Sequence, residues 1–374
     1  MQAKETKKKI GLLTMHRVYN FGSILQAYAT QTAIQKLGYT CEIIDYQYPN
    51  EIHSGDYSSP LLEFIRILME IKFGFPGRKQ RKAFQRFRNN YLNLGDYFKT
   101  KESLFANVPN YDTYVVGSDQ TWNIRHIGSD DTFLLSFVPE GKRRISYASS
   151  AARKELPDKY IDSFKKNLSL FNALSVREEH TKILIKKLLG RDVPITLDPT
   201  LLLDKKKWQL IANTAKFKLN YPYILIYILK YSFSPYPIAN EVIRYVYNKY
   251  NLPIVALRYS AREHLGIKNF IDLHEGVGPE DFLWLFQNAS FVVTTSFHGT
   301  AFSLNFQKPF YTIFDSRIED DRIFSILHLL GAESCGVDVS KGFVPSDEEI
   351  DFASIALKLS NERDKSLLYL KDNL

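Results

Sequence analysis

The chain has 374 residues and a mass of 43.3 kDa, enough for two domains that each bury a core. Its 49 lysines and arginines against 41 acids give a formal net charge of +8, which favours anionic partners without naming one. No apolar run approaches the ~20 residues that span a bilayer, and the first residues lack a secretory pattern, so we expect a cytoplasmic protein. The two cysteines, Cys41 and Cys335, stand far apart, which predicts buried free thiols rather than a disulfide framework or metal site.

The N-terminal segment has the pattern of a βαβ unit. Residues 8–14 predict a buried strand, apolar positions at helical spacing over 23–37 predict a helix, and 41–46 predict a second strand. In such units ligands bind at the carboxyl ends of the strands. The turn at this place contains Asn20 and Gly22, which are therefore candidate ligand contacts.

The positive charge is concentrated at residues 72–88, where seven lysines and arginines occur without an acid and four phenylalanines stand among them. This segment lies in a basic helical insertion predicted at about 60–92. It predicts either a surface that contacts an anionic membrane or an amphipathic helix whose phenylalanine side packs on the protein. Nucleic acid is not an expected partner, because no recognisable binding motif accompanies the charge.

A further strand, followed by a loop, is predicted in the segment YDTYVVGSDQTWN. The strand runs through Val116, and Ser118, Asp119, Gln120 and Trp122 follow it. Polar side chains directly beyond a buried strand are typical of a functional site in this kind of sheet. The alternative is an Asx turn made by Asp119.

Arg177 and Glu178 follow another predicted strand, in the segment NALSVREEH. An arginine at this edge of a sheet suits bidentate binding of a carboxylate or phosphate. It could equally pair with Glu178 or another acid and hold two elements together. A further strand is predicted in VPITLDPT, where Asp198 and Pro199 turn the chain.

A polar stretch after residue 205 marks a domain junction, and strands and helices alternate again beyond it. We therefore predict an N-terminal domain at 1–205, a second domain at 206–345 and a helical region at 346–374.

The segment FVVTTSFHGT in the second domain predicts a strand that breaks at Ser296, and the following AFSLNF has helix-forming character. Backbone N–H groups and the helix dipole would converge on an anion at such a turn, with the imidazole of His298 beside it. The alternative is a histidine that only caps the helix.

Together these motifs resemble the polysaccharide pyruvyl transferase family along nearly the whole chain. The family implies transfer of a pyruvyl group from phosphoenolpyruvate to a sugar, usually as a cyclic ketal. It also implies two Rossmann-like α/β domains with mainly parallel sheets, facing across a cleft as in the GT-B fold. The resemblance rests on Tyr19-Asn20-Phe21-Gly22 with the LQAYA helix, Gly117-Ser118-Asp119-Gln120 with Trp122, SVRE at Arg177, Asp198-Pro199-Thr200, and Ser296-Phe297-His298-Gly299-Thr300.

The resemblance gives each candidate a role. Phosphoenolpyruvate is a compact trianion, so its site needs several donors and positive charges. Arg177 is the first candidate for its carboxylate or phosphate, and His298 is the acid for the methylene carbon or the base on the sugar hydroxyl. Asp119 is a second base or a sugar ligand. The expected donor contacts are Ser296, the N–H groups of Gly299 and Thr300, Arg322, Asn20 and Gly22, and the expected acceptor contacts are Ser118, Gln120 and Trp122.

One position departs from the family pattern. Many relatives have an arginine two positions before the motif histidine, where this chain has Ser296. Lys308, Arg317 or Arg322 could supply the missing charge, and Arg322 is the favoured candidate.

We expect no cofactor and no metal, with phosphoenolpyruvate as the donor substrate. The expected acceptor is a saccharide, free or lipid-linked, that becomes part of a capsule, exopolysaccharide or other cell-surface glycan. We expect the protein to act on it in the cytoplasm, at the inner face of the membrane if the acceptor is lipid-linked. The alternatives are a glycosyltransferase of the same fold that uses a nucleotide sugar, and a saccharide-binding protein without turnover.

Overall fold

The computed structural model describes residues 7–47, 76–229, 232–257, 265–273, 276–345 and 349–374. The part of the predicted basic insertion at 60–75 lies outside these ranges, whereas residues 76–91 of it are described as a helix.

The first sheet has five parallel strands in the order β3-β2-β1-β4-β5. Its central strands are apolar and buried on both faces, as is typical of parallel sheets covered by helices. Isolated parallel bridges extend the sheet beyond β5, through Ala173 and Val176 to Ile195. The strands are β1 (Lys9–Leu13), β2 (Thr40–Tyr46), β3 (Leu94–Phe98), β4 (Thr113–Val116) and β5 (Arg143–Ser146).

The second sheet has six parallel strands in the order β11-β10-β9-β6-β7-β8. Its core combines branched aliphatic side chains of the central strands with tyrosine and phenylalanine rings. The strands are β6 (Ile224–Tyr227), β7 (Ile254–Leu257), β8 (Phe270–Leu273), β9 (Phe291–Thr294), β10 (Phe310–Phe314) and β11 (Gly336–Asp338).

Helices connect the strands of both sheets, as the alternating sequence pattern predicts. Those in the described ranges are α1 (Phe21–Lys36), α2 (Pro76–Tyr91), α3 (Lys101–Ala106), α4 (Ile124–Ile127), α5 (Asp158–Leu168), α6 (Glu179–Leu189), α7 (Lys205–Ala212), α8 (Ile238–Tyr250), α9 (Pro279–Asn288), α10 (Phe297–Phe306), α11 (Arg322–Leu330) and α12 (Phe352–Asn373).

The chain divides into two compact units. The first unit comprises Met1–Met69, Arg86–Leu202 and Glu362–Leu374, and the second comprises Glu70–Gln85 and Leu203–Asn361. The end of α12 therefore belongs to the first unit, where Leu370 and Leu374 are buried. The N-terminal part of α2 is assigned to the second unit and its C-terminal part to the first.

Each sheet has one topological switch point, the place where the strand order reverses. In the first sheet it lies between β1 and β4, and in the second between β9 and β6. Open parallel sheets bind ligands outside the carboxyl ends of the strands at such a point. A ligand-binding site is therefore expected among the residues that follow β1, β4 and β9.

Candidate active site

Asn20 begins helix α1 at the switch point of the first sheet. Its side-chain Oδ1 accepts hydrogen bonds from the N–H groups of Gly22 (2.9 Å) and Ser23 (3.4 Å), the ordinary bonding of an N-cap. The N–H of Gly22 is thus used within the turn, and the contact of Gly22 with the donor substrate stays a prediction. The amide nitrogen of Asn20 is the part of that side chain suited to a ligand.

Asp119 follows β4 at the same switch point, and its backbone is strained. Its φ of 77° lies in the left-handed region, which costs a residue with a side chain ~1–2 kcal/mol. The carboxylate accepts the N–H of Gln120 at Oδ1 (2.9 Å) and the hydroxyl of Ser23 at Oδ2. Asp119 thus combines a local turn contact with a contact across the sheet edge, and strain of this kind is concentrated at functional sites.

Arg177 lies beside three carboxylates and its side chain is only 1% exposed. Nη1 donates to Asp198 Oδ2 at 2.7 Å, Nε lies 3.7 Å from Glu178 Oε2, and Nη2 lies 3.9 Å from Asp119 Oδ1. A buried guanidinium among carboxylates is typical of a structural ion-pair network, and binding of the donor by Arg177 stays a prediction. The alternative in the sequence interpretation, that Arg177 pairs with acids and holds elements together, fits the structure.

The three acids differ in exposure. The side chains of Glu178 and Asp198 are fully buried, whereas that of Asp119 is 9% exposed. Asp198 also accepts from the Thr200 hydroxyl (2.7 Å) and N–H (3.0 Å), and Glu178 accepts from the hydroxyl of Thr181. Asp119 is therefore the member of this network that can meet a ligand, and the other two fix Arg177 beneath it.

Two predicted acceptor contacts have structural roles instead. Trp122 is fully buried in the core of the first unit and donates its indole N–H to the carbonyl of Phe133 at 3.1 Å. Ser118 is also fully buried and donates its hydroxyl to Asp198 at 3.2 Å. Neither side chain can stack on or bond a sugar, which corrects both predictions. Gln120 is partly exposed and accepts at Oε1 from the side chain of Asn123.

A further charged cluster joins His16 and Arg17, which follow β1, to Asp45 within β2, and the sequence interpretation did not predict this contact. Asp45 accepts two hydrogen bonds from Arg17, at 2.6 and 2.7 Å, and one from His16 Nε2 at 2.7 Å. Nδ1 of His16 faces the carbonyl oxygen of Thr14 at 3.0 Å. Both ring nitrogens of His16 thus lie within hydrogen-bond distance of an oxygen. Burial opposes ionisation of Asp45, but the hydrogen bonds from His16 and Arg17 outweigh it and hold the pKa of this carboxyl well below its usual range.

In the second unit, helix α10 begins at Phe297, four residues before the predicted AFSLNF segment. Ser296 is its N-cap, and the Ser296 hydroxyl accepts the N–H of Gly299 at 3.3 Å. The N–H of Thr300 donates to the carbonyl of Ser296 at 2.9 Å. These N–H groups serve the helix itself, which corrects their predicted role as donors to an anion; Ser296 acts as a cap.

Gly299 is required by the close approach of α10 to the end of β9. A Cβ at this position would lie 2.3 Å from the hydroxyl oxygen of Thr294. That hydroxyl donates to the carbonyl of Tyr227 at the end of β6 (2.8 Å), and the hydroxyl of Thr295 bonds the backbone of Leu229. The two threonines thereby join the strand ends on both sides of the second switch point and fix where α10 begins.

His298 occupies the first turn of α10 at this switch point. Its ring lies edge-on to that of Phe297, with a centroid separation of 5.3 Å, and the residue is 6% exposed. The guanidinium carbon of Arg322, at the start of α11, lies 6.0 Å from the centre of the Phe297 ring. An imidazole and a guanidinium therefore both lie next to the Phe297 ring.

The structure distinguishes the three candidates for the charge missing at Ser296. Lys308 lies beyond the C-terminal end of α10, the end opposite His298. Arg317 is bound to Asp315 by two hydrogen bonds and its side chain is 69% exposed. Arg322 also has a bidentate partner, Asp320 (2.6 and 2.5 Å), but it is only 12% exposed and lies near the Phe297 ring. Arg322 thus lies beside Phe297, the residue directly before His298 in the sequence.

The described residues contain no cluster of three or more histidine, cysteine, aspartate or glutamate side chains able to hold a metal ion. Within the same ranges, no helix is both long and apolar enough to cross a membrane. Cys41 and Cys335 are buried free thiols, and burial raises the pKa of Cys335 to about 12.

The structure is similar to those of several sugar-nucleotide enzymes. A candidate UDP-N-acetylglucosamine 2-epimerase of Listeria monocytogenes is 11% identical and has a TM-score of 0.52, with 97% of this chain and 91% of that chain covered. UDP-GlcNAc 2-epimerases of Methanocaldococcus jannaschii (14% identity, 96% and 93% covered) and Neisseria meningitidis (12%, 99% and 95%) have TM-scores of 0.49 and 0.48. At such identities the first likeness establishes the fold alone. The fold is GT-B-like, with two α/β units built on parallel sheets, as predicted.

The sequence itself identifies the family. Residues 20–314 match the polysaccharide pyruvyl transferase family, a range that includes Asn20, Asp119, Arg177 and His298. The chain belongs to this family. No curated protein matches it significantly. Family and fold together indicate a sugar-modifying transferase.

Proposed function

We propose that this protein transfers a pyruvyl group from phosphoenolpyruvate to two hydroxyls of a saccharide, forming a ketal, in the synthesis of a cell-surface glycan. The observation that carries the proposal is the family match over residues 20–314, within which His298 follows β9 at a topological switch point.

In the second unit, His298 and Arg322 are the groups suited to an anionic donor. Arg322 supplies the guanidinium that the sequence lacks at Ser296, and it meets the donor's carboxylate or phosphate. In this structure Asp320 holds that guanidinium by two hydrogen bonds. Since a trianionic ligand carries more charge than one carboxylate, it can compete with Asp320 for the same donors.

In the first unit, the charge at the switch point favours sugar hydroxyls over an anion. The carboxylates of Asp119, Glu178 and Asp198 all lie within 3.9 Å of the Arg177 guanidinium. A carboxylate such as Asp119 accepts hydrogen bonds from hydroxyls and repels phosphate. We assign Asp119 and the amide nitrogen of Asn20 to the saccharide, with Gln120 beside them.

In the proposed reaction, each of the two sugar hydroxyls loses one proton. A proton is added to the methylene carbon of phosphoenolpyruvate, and the central carbon then takes a bond from the first sugar hydroxyl. The second hydroxyl displaces phosphate and closes the ketal. Of the two hydroxyl protons, one replaces the proton given to the methylene carbon and the other leaves with phosphate. His298 supplies the first proton, and Asp119 accepts a proton from a hydroxyl.

A lipid-linked acceptor would bring the protein to the membrane surface. On α2, Phe84 and Phe87 are buried, while Lys79 and Lys82 are exposed. The apolar side of the described helix therefore faces protein, and any contact of this helix with anionic lipid would be electrostatic alone.

Two variants of matched chemistry test the donor assignment. Arg322→Ala and Arg317→Ala each remove an arginine that is paired with the aspartate two residues before it. We expect Arg322→Ala to weaken phosphoenolpyruvate binding at least tenfold in calorimetry, and Arg317→Ala to change it less than twofold. Equal affinities of both variants and the wild type would remove Arg322 from the donor site.

Turnover tests the proposal itself. Purified protein is incubated with phosphoenolpyruvate and a panel of galactosides, mannosides and amino-sugar derivatives, and phosphate release is measured. Release that depends on one acceptor, with a pyruvyl ketal in the product by mass spectrometry, is the expected result. Release of a nucleotide from a nucleotide sugar, without phosphate release from phosphoenolpyruvate, would replace the proposal by glycosyl transfer.

A further inference from the structure

Ser23 links the first turn of α1 to the loop after β4. Its hydroxyl donates to Oδ2 of Asp119, 96 positions away in the sequence. The serine is 4% exposed, so water competes little for this hydrogen bond. A hydrogen bond to an ionised group in such surroundings is about twice as strong as one between neutral groups.

The backbone of Ser23 is itself fixed from both sides. Its N–H lies within hydrogen-bond distance of Asn20 Oδ1 (3.4 Å), and its carbonyl accepts from the side-chain nitrogen of Gln26 (2.9 Å). The same nitrogen of Gln26 donates to the hydroxyl of Thr14 at 2.8 Å. That hydroxyl in turn donates to the carbonyl of Ser118, directly before Asp119, at 3.1 Å. The Asp119 loop is therefore held at two points: Thr14 bonds the carbonyl of Ser118, and Ser23 bonds the carboxylate of Asp119.

The loop needs such support, because Asp119 has a positive φ of 77°. A strained backbone persists only where its surroundings over-determine it. The carbonyl of Asp119 accepts the N–H of Ser150 at 3.1 Å, which fixes the far side of the loop. The carboxylate accepts the N–H of Gln120 at Oδ1 and the Ser23 hydroxyl at Oδ2, and both contacts help to direct it.

We propose that Ser23 is a positioning residue, which orients the carboxylate of Asp119 and keeps it ionised so that it can accept a proton from the sugar hydroxyl. This inference rests on the proposed function, in which Asp119 is the base. Ser23 and Gln120 each donate a hydrogen bond to the Asp119 carboxylate. Nη2 of Arg177 lies 3.9 Å from the same carboxylate, and Nε of Arg177 lies 3.7 Å from Glu178. Removal of the Ser23 hydroxyl takes away a donor that favours the charged form, so protonation of Asp119 moves to higher pH.

The test compares Ser23→Ala with Ser23→Thr, which restores a hydroxyl, and with Thr30→Val. Thr30 is a matched control, because its hydroxyl is also buried on α1 but bonds only the carbonyl of Gln26, at 2.8 Å. Rates of phosphate release from phosphoenolpyruvate are measured against pH with the acceptor found by the panel.

We expect Ser23→Ala to lower kcat about tenfold or more and to move the acidic limb of the kcat profile up by ~1 pH unit. The KM for phosphoenolpyruvate should stay within twofold, because the donor groups belong to the second unit. Ser23→Thr should recover part of the loss, and Thr30→Val should follow the wild type in both kcat and profile. An unmoved acidic limb in Ser23→Ala would overturn the proposal, even if stability fell.

A second readout separates this inference from the proposed function. With ¹³C-labelled aspartate, and with Asp119→Asn to assign its signal, NMR follows protonation of the Asp119 carboxyl without any substrate. We expect its midpoint to rise by ~1 pH unit in Ser23→Ala. If the wild type releases no phosphate with any acceptor, the proposed function fails while this titration still decides the Ser23 contact. Equal midpoints in both proteins would refute it.

Discussion

Replacing Arg177 by methionine tests whether this arginine binds the donor or neutralises buried acids. Methionine keeps most of the apolar stem and removes the charge, leaving Asp119, Glu178 and Asp198 without their shared cation. Removal of one partner from a buried ion pair costs ~3–5 kcal/mol. For a unit of roughly 200 residues this corresponds to a fall in melting temperature on the order of 10 °C.

The assay is thermal and urea unfolding of Arg177→Met beside Arg125→Met, which removes an exposed arginine and should change stability by less than ~0.5 kcal/mol. The loss in Arg177→Met should shrink as the pH is lowered, because protonation of the three acids relieves their repulsion. A variant with wild-type unfolding at every pH, but without affinity for phosphoenolpyruvate, would refute the reasoning and return Arg177 to the donor site.

Two further predictions concern charge elsewhere in the chain. Asp45→Asn should lower the free energy of unfolding by about 2 kcal/mol near neutral pH. The folded pKa of Asp45 is depressed, so the stabilisation it gives is present above the ordinary carboxyl range and is lost as the pH falls. Acid unfolding of the variant should therefore depend less on pH than that of the wild type. Changing Lys79 and Lys82 to glutamate should lower sedimentation with phosphatidylserine vesicles at low salt without unfolding the protein; unchanged sedimentation would leave this side of α2 as a solvated face.

The local sequence pattern was enough to predict the fold class. Apolar runs of strand length correspond to β1, β4 and β9. These features depend on neighbouring residues, so spacing reveals them. The start of α10 was missed because its cap, Ser296, lies five residues before the apolar helix-forming segment.

The site was harder to predict because its contacts are distant in sequence. Asp119 and His298 were recognised from motifs that follow strands, and both lie at switch points. The burial of Arg177 among acids from three loops, and the contact of Ser23 with Asp119, depend on which strand ends become neighbours. Strand order is set by the packing of the whole unit, so the sequence motif at Arg177 could not distinguish a ligand from a structural ion pair.

In the proposed mechanism, His298 supplies a proton to phosphoenolpyruvate during pyruvyl transfer to a sugar. The most direct measurement is phosphate release from phosphoenolpyruvate by the wild type and by His298→Ala, each with the acceptor panel and each shown to be folded. We expect acceptor-dependent release by the wild type and a loss of about 10²–10⁴-fold in the variant. Equal release by the two proteins would contradict this mechanism.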